Sequence, residues 1–284
     1  MKEAAKLSYC AEEVRRADPD RFLVGLFAPR EQREDIFSLY AFNLEIAKTR
    51  EMVSENMLGA IRLQWWREAI EAIYAEDNLR KHAIVEALSD TVCRHNLSRR
   101  YFDRLIDGRM IDFEPSRLAT MSDLIEYADA TSGSLVVLTM EVLGGSIDDK
   151  TAEVGRKIGV VWALTGLMRS MPSFLRRGRL VLPNELIDAH GIEQRSALDL
   201  KPSRALASAV AEIGAFARKE LHEARAKRLG VSKVFRPALL LGVLAESYLG
   251  RLDRAKYNVF EPIVGAPAGF AAVRLAYCSL LGRY

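Results

Sequence analysis

Two stretches decide how this chain folds: SGSLVVLTMEVLGG, residues 132–145, and IGVVWALTGLM, residues 158–168. Each reads as a helix that is apolar nearly all round. A helix with no polar face has no side to offer water, so it belongs in the middle of a bundle. Small residues, Gly133, Ser134, Gly159 and Gly166, recur in the pair. They either let two backbones approach closely or leave room for a ligand between the helices. Both readings stay open at this point.

Helical periodicity continues outward in both directions. It predicts helices over roughly 3–16, 31–53, 57–76, 81–92, 97–108, 121–145, 150–171, 203–228, 234–250 and 267–282. Ser122 and Asp148 stand where helices should start, and Gly108 and Gly144 where they should stop. Alternating strand patterns with hairpin turns are almost absent. There is no low-complexity tract, fixed-period repeat or interdomain linker. One all-α domain over residues 1–284 is the expectation. The longest section without helical pattern runs from Pro172 to about Ser203, and Pro172 predicts a helix end near Met171. Trp65 shares a stripe with Leu58, Ile61 and Ala69, which predicts a core position. Trp66 is left to line a cavity or meet a partner. Near the C-terminus, PIVGAPAGFAAVRLAYCSLLG (262–282) is interrupted by Pro267 and Arg274. It predicts a buried terminal helix rather than a membrane span, with a membrane-surface contact left open.

The 284 residues are 49% hydrophobic and 28% charged, the balance of an ordinary globular protein with enough chain for a sizeable core. A net charge of +3 gives no reason to expect nucleic acid. The basic residues do cluster, at RRGR (176–179), KRLG (227–230) and RHNLSRRYFDR (94–104). Such runs form solvated helix faces or bind phosphates and acidic lipid. Cys10, Cys93 and Cys278 are widely spaced, and the four histidines form no paired pattern. Neither a disulfide scaffold nor a zinc site follows. With no signal-peptide core at the N-terminus, a cytoplasmic location is expected, with peripheral contact on the inner membrane left open.

The stretch LYAFNLEIAKTREMVSE (39–55) carries a mixed polar set: Asn43, Ala47, Lys48, Arg50 and Glu51. It follows FLVGLFAPREQREDIFSLYAF (22–42), which resembles the opening helices of the squalene/phytoene synthase family. IRLQWWREAI (61–70), LIDGRMIDF (105–113), LIEYADATSGSL (124–135) and GRLVLP (178–183) follow in that family's order. The resemblance covers about residues 20–250. It implies an all-α, isoprenoid-synthase-type helical bundle around a central cavity. It also implies two aspartate-rich motifs facing each other across that cavity. Carboxylates four residues apart share one helix face, and two such pairs cage the Mg²⁺ ions that hold and ionise a substrate diphosphate.

Carried over residue by residue, the motifs are degraded. The first places Ala47, Lys48 and Glu51 where the family has acids. The second places Ser170 and Phe174. The resemblance therefore implies no catalytic residues, no metal and no cofactor, with Mg²⁺ only if the chain is active after all. Asp103 and Asp107 read as an exposed helix face, whereas Asp112 matches an acidic position of the synthases. The ligand-binding candidates are Arg33, Lys48, Arg50, Glu51, Asp112, Arg169 and Arg179, and Arg62, Arg176 and Arg177 fall on the same bordering segments. A cationic mouth of this kind can hold a phosphate directly. Alternatively, these cations pair with Glu45, Glu51 and Glu185.

The departures form a pattern of their own. AFNLEIAKTREMVSENMLGAIRLQWWREAI (41–70) and CRHNLSRRYFDRLID (93–107) resemble the branch of mitochondrial complex I (NADH dehydrogenase) assembly factor 6 type proteins. That resemblance implies a pseudoenzyme acting in respiratory complex I assembly. Its partners would be complex I subunits or assembly intermediates, a membrane surface, and an isoprenoid diphosphate or anionic lipid as candidate ligand. The competing reading is an active Mg²⁺-dependent prenyltransferase condensing farnesyl or geranylgeranyl diphosphate.

Overall fold

The computed structural model describes residues 7–53, 55–114 and 118–284. All regular structure among them is helical. The order is α1 (Tyr9–Ala17), α2 (Pro19–Gly25), α3 (Arg33–Met52), α4 (Asn56–Ala75), α5 (Ala83–His95), α6 (Arg99–Met110), α7 (Met121–Ala128) and α8 (Ser134–Gly144). Then come α9 (Asp149–Arg176), α10 (Asn184–His190), α11 (Gln194–Leu198), α12 (Arg204–Ala226), α13 (Arg236–Leu239), α14 (Leu241–Arg254), α15 (Pro262–Gly265) and α16 (Ala271–Leu280). The expected start of the first helix at residue 3 lies outside the described residues.

The two apolar stretches occupy the centre. Every residue from Ser134 to Leu143 is buried, and α9 is enclosed by α8, α12 and α14. By length and composition α9 could cross a membrane, but it is the core helix of the bundle, with 56% of its apolar window buried. The glycines divide between the two readings offered by the sequence. A Cβ on Gly159 would sit 2.5 Å from both Gly133 Cα and the Ser132 carbonyl oxygen, so there the backbones touch. Gly166, seven residues on, has nothing within 4 Å of its Cβ position and faces open space. Close approach at one point of α9 and room two turns further on come from the same residue type.

That close approach coincides with a break in the expected 121–145 helix. Asp129–Gly133 forms a π turn between α7 and α8, an irregularity that commonly marks functional sites. Several other expectations are corrected. Thr120, not Ser122, caps α7, in a capping box with Asp123. Gly108 lies inside α6 rather than ending it. The helix end predicted near Met171 is also overturned. α9 runs through Pro172 to Arg176, because Met171 and Leu175, 0% and 1% exposed, anchor the last turn in the core. Burying two large side chains is worth about 3–6 kcal/mol, enough to match the ~3 kcal/mol cost of an interior proline.

Trp66 is the more deeply buried of the adjacent tryptophans, and both line a pocket beside Leu58 and Ile61. Trp66 is 2% exposed and packs edge-on against Phe42, which packs likewise on Phe102. Trp65 is only half-buried, under the Arg80 guanidinium, and its stripe neighbours Leu58 and Ile61 face out. The C-terminal helix differs too. α16 buries only Leu275, and its other large apolar groups are exposed.

Candidate functional site

Two adjoining chambers, about 450 Å³ and about 210 Å³, share Arg109, Tyr127, Leu167 and Phe174 in their walls and so form one cleft. α9 supplies the common wall, and the open side at Gly166 belongs to the larger chamber.

The larger chamber is polar at the end formed by the α1–α2 junction. Asp18 accepts from the Arg21 backbone N–H at 3.0 Å, capping α2, and pairs with the Arg21 guanidinium at 2.8 Å. The same guanidinium donates to Ser132 Oγ in the π turn at 3.2 Å and lies 5.8 Å from the Trp162 ring. Asp20 pairs with Arg169 at 3.3 Å and accepts from Tyr248 Oη at 2.7 Å. Arg169 in turn stacks 3.3 Å over the Tyr248 ring. Burial, with the bond to Asp20, pushes the Tyr248 phenol up to about 12. The Nε atoms of both Arg21 and Arg169 are buried without a hydrogen-bond partner among the described residues.

The smaller chamber is formed by the C-terminal half of α3, the end of α6 and the segment after α9. Arg109 donates to Tyr127 Oη at 2.6 Å, and that hydroxyl donates to Asp112 at 3.2 Å. Asp112 lies 3.8 Å from Arg109 and 3.7 Å from Arg179. Burial pushes the Tyr127 phenol up to about 12, against the lowering influence of Arg109. Arg50 enters from α3 with its guanidinium 5.7 Å from the Phe113 ring. Its Nε and that of Arg109 are also buried without partners among the described residues.

The degraded motif positions are thereby placed. Ala47 and Glu51 line the smaller chamber, Ser170 the larger, and Phe174 both. Because α9 continues past Pro172, Ser170 and Phe174 do share a helix face across from Ala47 and Glu51, contrary to the expected break between them. Glu51 is engaged by Arg177, and Phe174 lies under Arg179. Lys48 is outside the cleft wall, 3.5 Å from both Glu13 and Glu45. Arg62 also pairs with Glu45, at 2.8 Å. Arg33 is remote as well and donates to the Ala28 carbonyl at 3.0 Å. Of the candidates, Arg50, Glu51, Asp112, Arg169 and Arg179 converge on the cleft, and Arg33 and Lys48 do not. Asp107 is exposed, as read from sequence, and pairs with Arg67 at 2.5 Å. No cluster of three or more metal-ligating side chains occurs among the described residues.

Among the cleft residues not singled out from sequence are Asp18, Asp20, Arg21, Arg109 and Tyr127. Arg109 and Tyr127 sit inside LIDGRMIDF and LIEYADATSGSL, so a signal was present in those stretches. Nothing marked Asp20 or Arg21 beyond the polar run that opens α2.

The squalene/phytoene synthase family model matches residues 14–270. The chain belongs to this family. Complex I assembly factor 6 of Mus musculus is 32% identical over 257 residues, spanning 89% of this chain and 76% of its own. The phytoene synthase of Thermus thermophilus is 26% identical over 249 residues, spanning 87% and 83%. A ligand-bound dehydrosqualene synthase superposes with a TM-score of 0.82 over 96% of this chain and 94% of its own, at 16% identity. That likeness establishes the fold, an isoprenoid-synthase helical bundle, and the curated relatives include both assembly factors and synthases.

Proposed function

We propose that this chain is a non-catalytic member of the squalene/phytoene synthase family that acts in respiratory complex I assembly. In this reading its cleft holds an isoprenoid diphosphate or the headgroup of an anionic phospholipid, and arginines take the place of metal ions. The observation that carries the reading is the donor set on the two facing walls. Ala47 and Phe174 offer no oxygen, Ser170 offers a neutral hydroxyl, and Glu51 is tied to Arg177. Magnesium needs several hard anionic oxygens around one octahedral centre. These residues do not fit it.

The arginines supply what the carboxylates do not. Arg50 and Arg109 stand in the wall of the smaller chamber beside Arg179. A phosphate oxygen in the chamber would accept charge-assisted hydrogen bonds from these guanidinium groups. The apolar wall of Leu167, Phe174 and Trp162 suits a hydrocarbon chain. The assembly role is supported by the 32% identity to assembly factor 6 across most of the chain.

Deleting the gene tests the role. Assembled complex I should fall while the cell's isoprenoid products stay at wild-type levels. Altered isoprenoid products with normal complex I would contradict the reading and favour an active prenyltransferase.

A further inference from the structure

Residues beyond Glu261 combine an exposed apolar row with an excess of positive charge. α16 packs through Leu275 and turns a row of large apolar groups outward. Phe270 is 86% exposed, Val273 66%, Tyr277 61% and Leu280 87%. Their spacing of three, four and three residues is that of one helix stripe. Isolated exposed apolar residues are ordinary, but an uninterrupted row of this size marks a contact surface. Phe270 also sits at φ 55°, where glycine or asparagine is usual, and it holds its ring in water.

Within residues 262–284 the charge has one sign: they contain Arg274 and Arg283 and no acid. Exposed Arg254 and Lys256 lie just upstream, with Asp253 and Glu261 the acids of that turn. The nearby Glu246 is already engaged by Arg225 and Arg274, at 2.6 and 2.7 Å. An apolar stripe with a cationic rim is the pattern of a helix lying in the plane of a membrane interface, where anionic headgroups attract the rim. A second copy of the chain fits less well, because a self-complementary contact would set this rim against itself.

We propose that α16 is a docking element for an anionic lipid bilayer, with Phe270, Val273, Tyr277 and Leu280 entering the interface. The element is tied to the cleft. Gly265 lines the larger chamber. Arg251 donates to the carbonyls of Ala266 and Pro267 at 2.5 and 3.0 Å. The Ala268 N–H donates to Tyr248 Oη at 3.1 Å, the hydroxyl that itself donates to Asp20 in the cleft wall. Docking through α16 therefore brings the larger chamber up to the lipid surface. This holds whether or not the cleft performs chemistry.

The test is co-sedimentation of the full chain with vesicles of phosphatidylcholine alone and of phosphatidylcholine mixed with phosphatidylglycerol. The wild type should bind the mixed vesicles, bind the neutral ones more weakly, and dissociate as salt is raised. The variant F270N/V273Q/L280Q should lose on the order of tenfold or more in partitioning. Its circular dichroism and melting temperature should match wild type, because each replaced group is exposed. Three results would overturn the proposal: a wild type that stays in solution, a triple variant that binds equally well, or a wild-type dimer that the variant splits without any vesicle binding.

Discussion

Replacing Gly159 by alanine should destabilise the protein, whereas the same replacement at Gly166 should stabilise it. Both residues lie inside α9, where alanine is favoured over glycine by about 1 kcal/mol. The difference is in what the added methyl meets. At Gly159 it would lie 2.5 Å from Gly133 Cα, 2.5 Å from the Ser132 carbonyl oxygen and 2.6 Å from Gly133 N. Carbon contacts settle at about 3.5–4.0 Å, so α9 and the π turn must part by roughly 1 Å. All three obstructing atoms are backbone, and no side chain can swing aside. Overpacking of this kind costs about 1–3 kcal/mol, occasionally more. A contact with rigid backbone on both sides belongs at the upper end of that range. Subtracting the helix gain leaves a net loss of about 2 kcal/mol. In a chain of this size that corresponds to a fall in Tm of roughly 4 °C or more. Gly166 faces the cleft with nothing within 4 Å, so its alanine variant should gain up to about 1 kcal/mol and roughly 2 °C. Scanning calorimetry of the two variants beside wild type decides the matter. A G159A protein as stable as wild type would refute the backbone contact, and a G166A protein as damaged as G159A would refute the open chamber.

Three further outcomes follow from the cleft and the core. Arg50→Ala should weaken binding of inorganic pyrophosphate by about tenfold or more, the value of one charge-assisted hydrogen bond. EDTA should leave wild-type binding unchanged in the same titration calorimetry, and loss of binding on chelation would restore a metal to the site. Tyr127 and Tyr248 are raised by burial from the ordinary 10.0 to about 12, so folding favours their protonated forms. That contribution is intact below pH 10 and disappears as pH rises from 10 through about 12. Melting temperature should fall in that window, and Y127F should flatten the fall. Asp35 is 4% exposed and holds Arg94 together with His95, the latter at 2.8 Å. Asp35→Ala should cost about 2–4 kcal/mol by urea unfolding, toward the lower figure because Arg94 reaches water.

The central pair of helices was legible because a helix without a polar face has one place to go in a bundle. Most outer helices were legible through their 3.6-residue period. The end of α9 was not. Proline's penalty is local and visible in sequence, while the burial of Met171 and Leu175 that outweighs it depends on distant helices. The deeper burial of Trp66 than of Trp65 has a similar origin. Trp65 and Trp66 are adjacent on α4, and the stripe of Leu58 and Ile61 faces solvent although it is apolar. The same assumption, that an apolar stripe is buried, misjudged α16. In the cleft, Arg50, Asp112, Arg169 and Arg179 were reached through their register within the family-like stretches. Register could not exclude Arg33 and Lys48, whose partners, the Ala28 carbonyl and Glu13 with Glu45, depend on how the flanking helices pack. Asp20 and Arg21 meet Arg169 and Ser132 across more than a hundred residues of chain, which no local pattern reports.

The central claim is that the cleft binds without catalysing. Its most direct test is pyrophosphate release by the purified chain supplied with farnesyl or geranylgeranyl diphosphate, with Mg²⁺ or Mn²⁺ present and absent. The donor set of Ala47, Glu51, Ser170 and Phe174 predicts no release above the protein-free background under any of these conditions. Sustained, metal-dependent release would contradict the account and make the chain a working prenyltransferase.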